Sequence, residues 1–289
     1  MDFGRLVTAM VTPFDSDLQV DYAKTEELVD RLIRHQHTDS IVVCGTTGES
    51  PTLTDEEKVK LFEIAVKAAG GRCKIIAGTG SNNTAHSIEL TQLAQKAGVD
   101  GVLLVAPYYN RPNQEGLYQH FKTIAESTDL PVMLYNIPKR TGVTLSTDLI
   151  VRLSNIDNIV ATKESTGDLE QIAQIAAQTS DSFKVYSGDD SLTLPVLSVG
   201  GYGIVSVASH IIGKEIKQMV EHFVSGKVQE AASLNAQLLN IFTGLFICPN
   251  PVPVKYALEL QGFQAGGVRL PLVWPNETEQ AAIRKLFSK

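Results

Sequence analysis

Short apolar runs alternate along this chain with longer stretches in which apolar residues recur at helical spacing. Eight of these runs are rich in β-branched residues and nearly continuous in hydrophobicity, as in strands that are buried on both faces. The runs are Leu6–Val11, Ser40–Cys44, Lys74–Gly78, Gly101–Val105, Val132–Asn136, Ile159–Lys163, Phe183–Ser187 and Gly203–Val207. The pattern predicts a parallel sheet that is covered by helices.

The stretches between the runs predict amphipathic helices with recognisable ends. The clearest are Asp21–His35, Asp55–Ala69 and Ala85–Ala97. Thr54 and Glu57 have the spacing of a capping box, in which each side chain bonds the backbone of the other residue. Thr147 also precedes an apolar run, so we expect a further helix to start there.

Eight strand–helix units predict an α/β fold, the (β/α)₈ TIM barrel. A doubly wound open sheet is the rival, but the first strand–helix turn, residues 12–15 (TPFD), lacks the GxGxxG pattern of dinucleotide-binding sheets. Beyond the last run we expect one closing helix at about Lys214–Val224 and a helical appendage. Its helices are predicted at Gln229–Leu245, Pro253–Leu260 and Glu277–Phe287. We therefore expect a barrel over residues 1–225 and a C-terminal helical domain over residues 226–289.

Composition narrows the class of protein and of partner. The 289 residues include 25 Lys+Arg and 32 Asp+Glu, a net charge of -7, which argues against nucleic acid or an anionic membrane as partner. A local site can still bind a small anion. Cys44, Cys73 and Cys248 are too few and too scattered for a disulfide framework. The first residues, MDFGRLVTAM, lack the features of a signal peptide, so we expect a cytoplasmic location.

Two residues at the ends of predicted strands suggest chemistry. Lys163 ends the sixth run, where a lysine is costly unless its charge is paired or removed. Either its stem packs while its head reaches water or pairs with Glu164, or it is a desolvated amine that forms a Schiff base with a ketone. Tyr135, near the end of the fifth run, is either an interior aromatic or a proton relay for that amine. If the barrel closes in sequence order, Tyr135 and Lys163 face the same mouth.

Loops after other strands carry groups that suit a small anion. The turn of residues 45–50 (GTTGES) can present backbone N–H groups to a carboxylate, although an ordinary glycine-rich turn has the same composition. Arg140 can bind a carboxylate with its two-pronged guanidinium or lie solvated at the surface. Tyr108 and Tyr109 lie in a proline-bounded loop, where we expect them to cap the mouth or contact another subunit.

The sequence offers no pattern for a metal or a resident cofactor. Apart from His35 and His37 the histidines are scattered, and no HExxH motif, Cys/His cluster or Walker A loop is present. We therefore expect neither a metal ion nor a cofactor.

Five motifs together resemble the dihydrodipicolinate synthases, which are pyruvate-dependent, class I aldolase-like enzymes of lysine biosynthesis. The motifs are GTTGES (45–50), PYYNRP (107–112), YNIPKRTG (135–142), KESTGD (163–168) and YSGDD (186–190). The resemblance covers essentially the whole chain. It implies condensation of pyruvate with L-aspartate 4-semialdehyde to 4-hydroxy-tetrahydrodipicolinate in the diaminopimelate and lysine pathway. It also implies a homo-oligomer, either a tetramer made of two tight dimers or a dimer.

The resemblance further implies which residues carry out the chemistry. Lys163 would form the Schiff base with pyruvate. Tyr135 would shuttle protons and position the substrate. Thr46 would link Tyr135 to Tyr109, which would reach across a dimer interface into the neighbouring site.

The same resemblance implies which residues bind the two substrates. Thr47 and its backbone would hold the pyruvate carboxylate. Arg140 would bind the carboxylate of aspartate semialdehyde at the entrance. Gly188 and Val205 would line the floor of the pocket.

Alternative functions stay open at this stage. N-acetylneuraminate lyase shares the barrel, the lysine and the tyrosine, but it typically carries GSTGE and lacks an arginine at the position of Arg140. A keto-deoxy sugar acid aldolase is a related alternative, and a barrel that binds a small acid without catalysis is another. The joint presence of Lys163, Tyr135, the Thr46–Thr47 pair and Arg140 favours the synthase.

One departure from the family concerns inhibition by lysine. Inhibited members place a His and a Glu around an effector cleft, where this chain has Asp55, Lys58 and His86, with Pro51 at a small-residue position. Of the other cleft residues, Ser50, Asn82 and Tyr108 are present. A cationic Lys58 and the loss of a carboxylate at His86 oppose binding of an ammonium group, so we expect weak or no inhibition.

Overall fold

Eight parallel strands close into a barrel in sequence order in the computed structural model, which describes residues 2–287. The strands are β1 Leu6–Ala9, β2 Ser40–Val43, β3 Lys74–Gly78, β4 Gly101–Val105, β5 Val132–Asn136, β6 Ile159–Glu164, β7 Lys184–Ser187 and β8 Gly203–Ser206. Because β1 pairs with both β2 and β8, the sheet has no free edge. The TIM barrel is confirmed, and the open sheet is excluded.

Helices follow the strands around the barrel and continue into a C-terminal extension. They are α1 Tyr22–Arg34, α2 Asp55–Ala69, α3 Thr84–Lys96, α4 Gln114–Ala125, α5 Pro138–Thr141, α6 Thr147–Leu153, α7 Leu169–Gln178, α8 Thr193–Ser198, α9 Ser209–Val224, α10 Val228–Gly244, α11 Val252–Leu260 and α12 Glu277–Leu286. The predicted capping box is present at the start of α2. Thr54 Oγ1 accepts the Glu57 N–H at 3.2 Å, and Glu57 Oε2 accepts the Thr54 N–H at 2.9 Å.

Helix α6 begins at Thr147, as predicted, and its N-cap is Ser146, whose Oγ accepts the Leu149 N–H. Helix α9 begins with a short segment at Ser209, but the non-helical Ile212 (φ −131°, ψ 34°) kinks it, so the closing helix predicted at about Lys214–Val224 matches the part beyond the kink. At the helix entrance, the buried carboxylate of Asp190 accepts the backbone N–H groups of residues 207 and 208, and Ser206 Oγ accepts the Ser209 N–H.

The inside of the barrel is a separate apolar layer that closes one end. It includes Phe3, Val7, Val42, Ile76, Met133, Tyr186 and Val205. Phe3 is buried just before β1, and the Tyr186 hydroxyl donates to the Gly4 carbonyl at 2.8 Å. Since these groups fill the N-terminal end, a substrate site is left to the carboxyl ends of the strands.

The C-terminal extension packs on the barrel through both α10 and α11. Helix α10 lies against α8 and α9, and α12 lies against α10 and α11. The division that we predict at residue 225 falls between α9 and α10 and stays a prediction. Within residues 2–287, no helix is both long and apolar enough to cross a membrane.

Candidate active site

Lys163 and Tyr135 lie side by side at the carboxyl ends of β6 and β5. The two residues are direct partners in the parallel register. Lys163 Nζ lies 4.1 Å from the centroid of the Tyr135 ring, close enough for a cation–π contact. Both side chains are buried, with 6% and 5% of their surface exposed. Within residues 2–287, the Lys163 amine has no acidic partner.

Space around Lys163 depends on the missing side chain of Gly188. A Cβ at this position would lie 2.8 Å from Lys163 Cε and 2.0 Å from Ser165 Oγ. Any larger residue would therefore push against the lysine stem. The Ser165 hydroxyl is buried and has no partner within the described part of the chain.

Glu164 points away from Lys163, so the predicted alternative of a Lys163–Glu164 pair is wrong. Successive residues of a strand face opposite sides of a sheet, which puts Glu164 outside the barrel wall. There it accepts a bond from Asn136 Nδ2 at 2.9 Å and one from Thr162 Oγ1 at 2.7 Å. Burial raises the pKa of Glu164 to about 8, and both bonds oppose this effect.

A cavity of about 580 Å³ opens at this end of the barrel. Thr46, Tyr135 and Arg140 line it, together with Lys58 and His86. No Asp or Glu occurs among its lining residues within the described range 2–287. Lys58 and His86 both bond the carboxylate of Asp55, so Arg140 is the lining cation that makes no ion pair within residues 2–287 and can attract an anionic ligand.

In the turn of residues 45–50, two backbone N–H groups have no acceptor within residues 2–287. Gly48 N–H and Glu49 N–H bond back into the turn, to the carbonyls of Gly45 and Thr46. Among residues 2–287, by contrast, no protein acceptor bonds the N–H groups of Thr46 and Thr47. Adjacent free N–H groups of this kind bind anions.

Residues that are distant in sequence bind this turn through buried polar contacts. Asn250 Nδ2 donates to Thr47 Oγ1 at 3.0 Å, and both side chains are buried. Lys255 Nζ lies 2.8 Å from Glu49 Oε1, and the Arg269 N–H donates to Glu49 Oε2 at 2.9 Å. Burial lowers the pKa of Lys255 to about 8, and the Glu49 charge opposes this shift.

None of these supporting residues is predicted from the sequence. Lys255 did give a signal, because it is the one charge in the otherwise apolar segment from Pro251 to Leu258. A lone cation in such a stretch needs a buried acidic partner. Which acid it meets depends on the tertiary fold, and Asn250 gave no comparable signal.

The remaining predicted site residues lie at the rim or in the inner layer. Arg140 is exposed on α5 and makes no ion pair within residues 2–287. Tyr109 points outward with 91% of its surface exposed, and its φ of 73° lies in the left-handed region. No hydrogen bond joins Thr46 to Tyr135 or to Tyr109 within the described residues of one chain. Val205 is buried in the same inner layer as Tyr135.

The predicted effector residues Lys58 and His86 line the same cavity, and both bond Asp55. Asp55 Oδ1 lies 3.0 Å from Lys58 Nζ, and Asp55 Oδ2 lies 2.7 Å from His86 Nε2. Partial burial by itself would raise the pKa of Asp55, but the bonds from His86 and Lys58 outweigh it and hold this pKa below its usual range. The carboxylate of Asp55 is thus already engaged by two side chains of the chain itself.

Comparisons with known proteins agree in family and fold. The sequence model of the dihydrodipicolinate synthetase family matches residues 2–289. The 4-hydroxy-tetrahydrodipicolinate synthase of Heliobacterium modesticaldum is 55% identical over 287 residues, 99% of this chain and 95% of that protein. A dihydrodipicolinate synthase crystal structure from Bacillus anthracis has a TM-score of 0.97 and 54% identity, covering 99% of this chain and 98% of that one. Another, from Cyanidioschyzon merolae with lysine bound, has a TM-score of 0.97 and 47% identity, covering 98% and 97%.

Proposed function

We infer which residues carry out each step of the reaction, starting from the family of the chain. The chain belongs to the dihydrodipicolinate synthetase family and has 4-hydroxy-tetrahydrodipicolinate synthase activity. It is thus a Schiff-base-forming lyase of lysine and diaminopimelate biosynthesis. The substrates are pyruvate and L-aspartate 4-semialdehyde. The observation that carries the assignment of roles is the buried contact of Lys163 with Tyr135, 4.1 Å from amine to ring centroid. It puts a nucleophile in direct contact with a proton carrier.

Lys163 forms the covalent intermediate. Its neutral amine attacks C2 of pyruvate, water leaves, and an imine results. Loss of a proton from C3 gives the enamine, whose C3 bonds to the aldehyde carbon of the semialdehyde while the aldehyde oxygen takes up a proton. The amino group of the semialdehyde then attacks C2, displaces Lys163 and closes the ring. The Tyr135 hydroxyl carries protons in these steps.

The 45–50 turn binds the carboxylate of pyruvate. The free N–H groups of Thr46 and Thr47 supply two donors, and the Thr47 hydroxyl supplies a third. Gly188 leaves room for the lysine stem and the bound ketone, and Val205 forms the apolar floor.

Arg140 binds the carboxylate of the semialdehyde. It lies exposed at the rim of the cavity and has no acidic partner within residues 2–287, so its guanidinium is free to bind a carboxylate. A sugar acid brings a single carboxylate, which the pyruvate end already binds. The arginine therefore favours the semialdehyde over N-acetylneuraminate or keto-deoxy sugar acids.

The assembly is a homo-oligomer, either a dimer or a tetramer made of two tight dimers. Tyr109 is 91% exposed in the single chain, which suits a residue that enters the site of a neighbour. Thr46 then connects Tyr135 with Tyr109 of the partner subunit. No nucleic acid, membrane, metal or cofactor takes part, and the enzyme works in the cytoplasm.

Steady-state kinetics of Arg140→Ala tests the substrate assignment. We expect KM for the semialdehyde to rise about 10- to 100-fold, because a charge-assisted bond is lost. KM for pyruvate stays within about twofold. Lys139→Ala, next to it on α5, is the matched control and leaves both constants unchanged. Unchanged kinetics in Arg140→Ala, or turnover of N-acetylneuraminate by the unmodified enzyme, would refute the assignment.

A further inference from the structure

The hydrogen bond between Asn250 and Thr47 links the C-terminal extension directly to the substrate-binding turn. Asn250 Nδ2 lies 3.0 Å from Thr47 Oγ1, although 203 positions separate the two residues in sequence. Only 8% of Asn250 and 3% of Thr47 is exposed. Water therefore cannot easily replace either partner, and the bond fixes how both groups are oriented.

The chemistry of the two groups decides where the Thr47 proton points. A hydroxyl has one proton to donate and lone pairs to accept, whereas the amide nitrogen of Asn250 can only donate. When Asn250 donates to Thr47 Oγ1, the hydroxyl proton must point elsewhere. Within residues 2–287 no protein acceptor takes that proton, so the proton is available to a ligand.

We propose that Asn250 is a positioning residue, whose amide donates to Thr47 Oγ1 and thereby directs the Thr47 hydroxyl proton at the pyruvate carboxylate. The inference rests on the function proposed above, in which Thr47 binds that carboxylate. The hydroxyl then acts with the two free N–H groups of the turn as a third donor. Asn250 has no contact with the substrate and acts through Thr47 alone.

A second contact from the same segment keeps Asn250 in place. Lys255, one helical turn further along, forms the buried ion pair with Glu49, two residues beyond Thr47. The Lys255 N–H in turn bonds the carbonyl of Pro251 at 3.1 Å. Residues 250–255 therefore grip residues 47–49 at two points. The extension thus prearranges the pyruvate subsite as well as packing on the barrel.

The substitution Asn250→Asp tests the proposal most sharply. It keeps the size of the side chain but turns the donor into an acceptor, which captures the Thr47 proton. We expect KM for pyruvate to rise at least about tenfold, the loss of one hydrogen bond to a charged group. The kcat and KM for the semialdehyde stay within about twofold. Asn250→Ala, which removes the donor without capturing the proton, raises KM less than Asn250→Asp.

Controls separate positioning from a change in folding or charge. Asn240→Asp makes the same exchange at an exposed position on α10 and leaves KM for pyruvate unchanged. If Asn250→Asp fails to fold, Asn250→Ala is compared in the unmodified and Thr47→Val backgrounds. Because Asn250 acts through Thr47, its substitution raises KM in the first background and has no further effect in the second.

Two results would overturn the inference. One is a KM for pyruvate in Asn250→Asp that equals that of the unmodified enzyme, which would mean that the amide oxygen already accepts the Thr47 proton. The other is an undiminished effect of Asn250→Ala in the Thr47→Val background. Failure of the proposed function looks different, because pyruvate and borohydride would then leave no adduct on Lys163 even in the unmodified enzyme.

Discussion

The ends of β5 and β6 and the 45–50 turn both supply groups to the site, but they are held in different ways. Tyr135 and Lys163 sit on adjacent strands, and the backbone register alone makes them partners. The turn is irregular, and side chains from residues 250–269 hold it through buried polar contacts. The proposed reactive pair therefore depends on local backbone pairing, and the proposed carboxylate donors depend on distant side chains.

This difference separates chemistry from stability in the two regions. Removing a functional group from the strand ends leaves the ladder of backbone bonds intact, so it should cost rate and little stability. Removing a side chain that contacts the turn from residues 250–269 leaves a buried charge or polar group without its partner. Such a substitution should therefore lower the stability of the protein and change the conformation of the turn.

The largest effect on stability is expected from Lys255→Met. The substitution leaves Glu49 buried without its cation, so the free energy of unfolding falls by about 3–5 kcal/mol. Urea denaturation measures it. The double variant Lys255→Met with Glu49→Leu removes both charges and should recover most of the loss. A single variant that is as stable as the unmodified protein would show that the turn does not depend on this pair.

The substitution Tyr135→Phe tests the other side of the contrast. The hydroxyl carries protons in our account, so kcat falls about 100-fold, while the urea midpoint hardly moves. Tyr202→Phe, which removes a hydroxyl bonded to Asp2 at the opposite end of the barrel, should leave kcat unchanged. If Tyr135→Phe were much less stable but had an unchanged kcat, Tyr135 would serve the stability of the protein and not the chemistry, which would contradict the contrast between the two regions.

What could be predicted from sequence follows the same division. The apolar runs gave β3, β4 and β5 to the residue, and strand order placed Tyr135 beside Lys163. Both depend on local patterns and on a rule of connectivity that holds for the whole barrel. The short segment of α9 before its kink at Ile212 was missed because side chains outside the helix, Ser206 and Asp190, satisfy the backbone N–H groups at its entrance.

The supports of the turn could not be predicted from sequence for a similar reason. The sequence pattern predicts no role for Asn250, and it includes Lys255 only as one residue of the predicted helix Pro253–Leu260. Their partners Thr47 and Glu49 lie about two hundred residues earlier, and no local rule joins such positions. Contacts of this kind come from the packing of the extension against the barrel mouth.

A pH-dependent effect is expected from Glu164, on the outer face of the strand that carries Lys163. Its pKa in the fold, about 8, lies above the ordinary value of 4.5. The folded state therefore favours the protonated form, and the stability this gives is present below pH 4.5 and is lost as the pH rises through about 8. The stability of Glu164→Gln should depend less on pH over this range. Near pH 8 its free energy of unfolding should be about 1–3 kcal/mol higher than that of the unmodified protein.

Urea unfolding across this pH range provides the measurement. Gln keeps an amide oxygen that can accept the bond from Asn136. A variant whose stability falls with pH as steeply as that of the unmodified protein would show that Glu164 does not titrate there. The activity of Glu164→Gln should change little, because the residue faces away from the cavity.

The smallest effect is expected from free lysine. The homologue from Cyanidioschyzon merolae was crystallised with lysine bound. In this chain Lys58 and His86 surround Asp55 and occupy its carboxylate, so another ammonium group meets a like charge and no free acid. Millimolar lysine should leave the steady-state rate unchanged. A rate halved at that concentration would contradict this expectation.

The central claim is that Lys163 is the nucleophile, and borohydride trapping tests it most directly. The enzyme is incubated with pyruvate, reduced, digested and examined by peptide mass spectrometry. Our account predicts that the peptide carrying Lys163 gains the mass of pyruvic acid less one oxygen, and that Lys163→Ala gains nothing. An unmodified Lys163, or an adduct on another lysine, would contradict it.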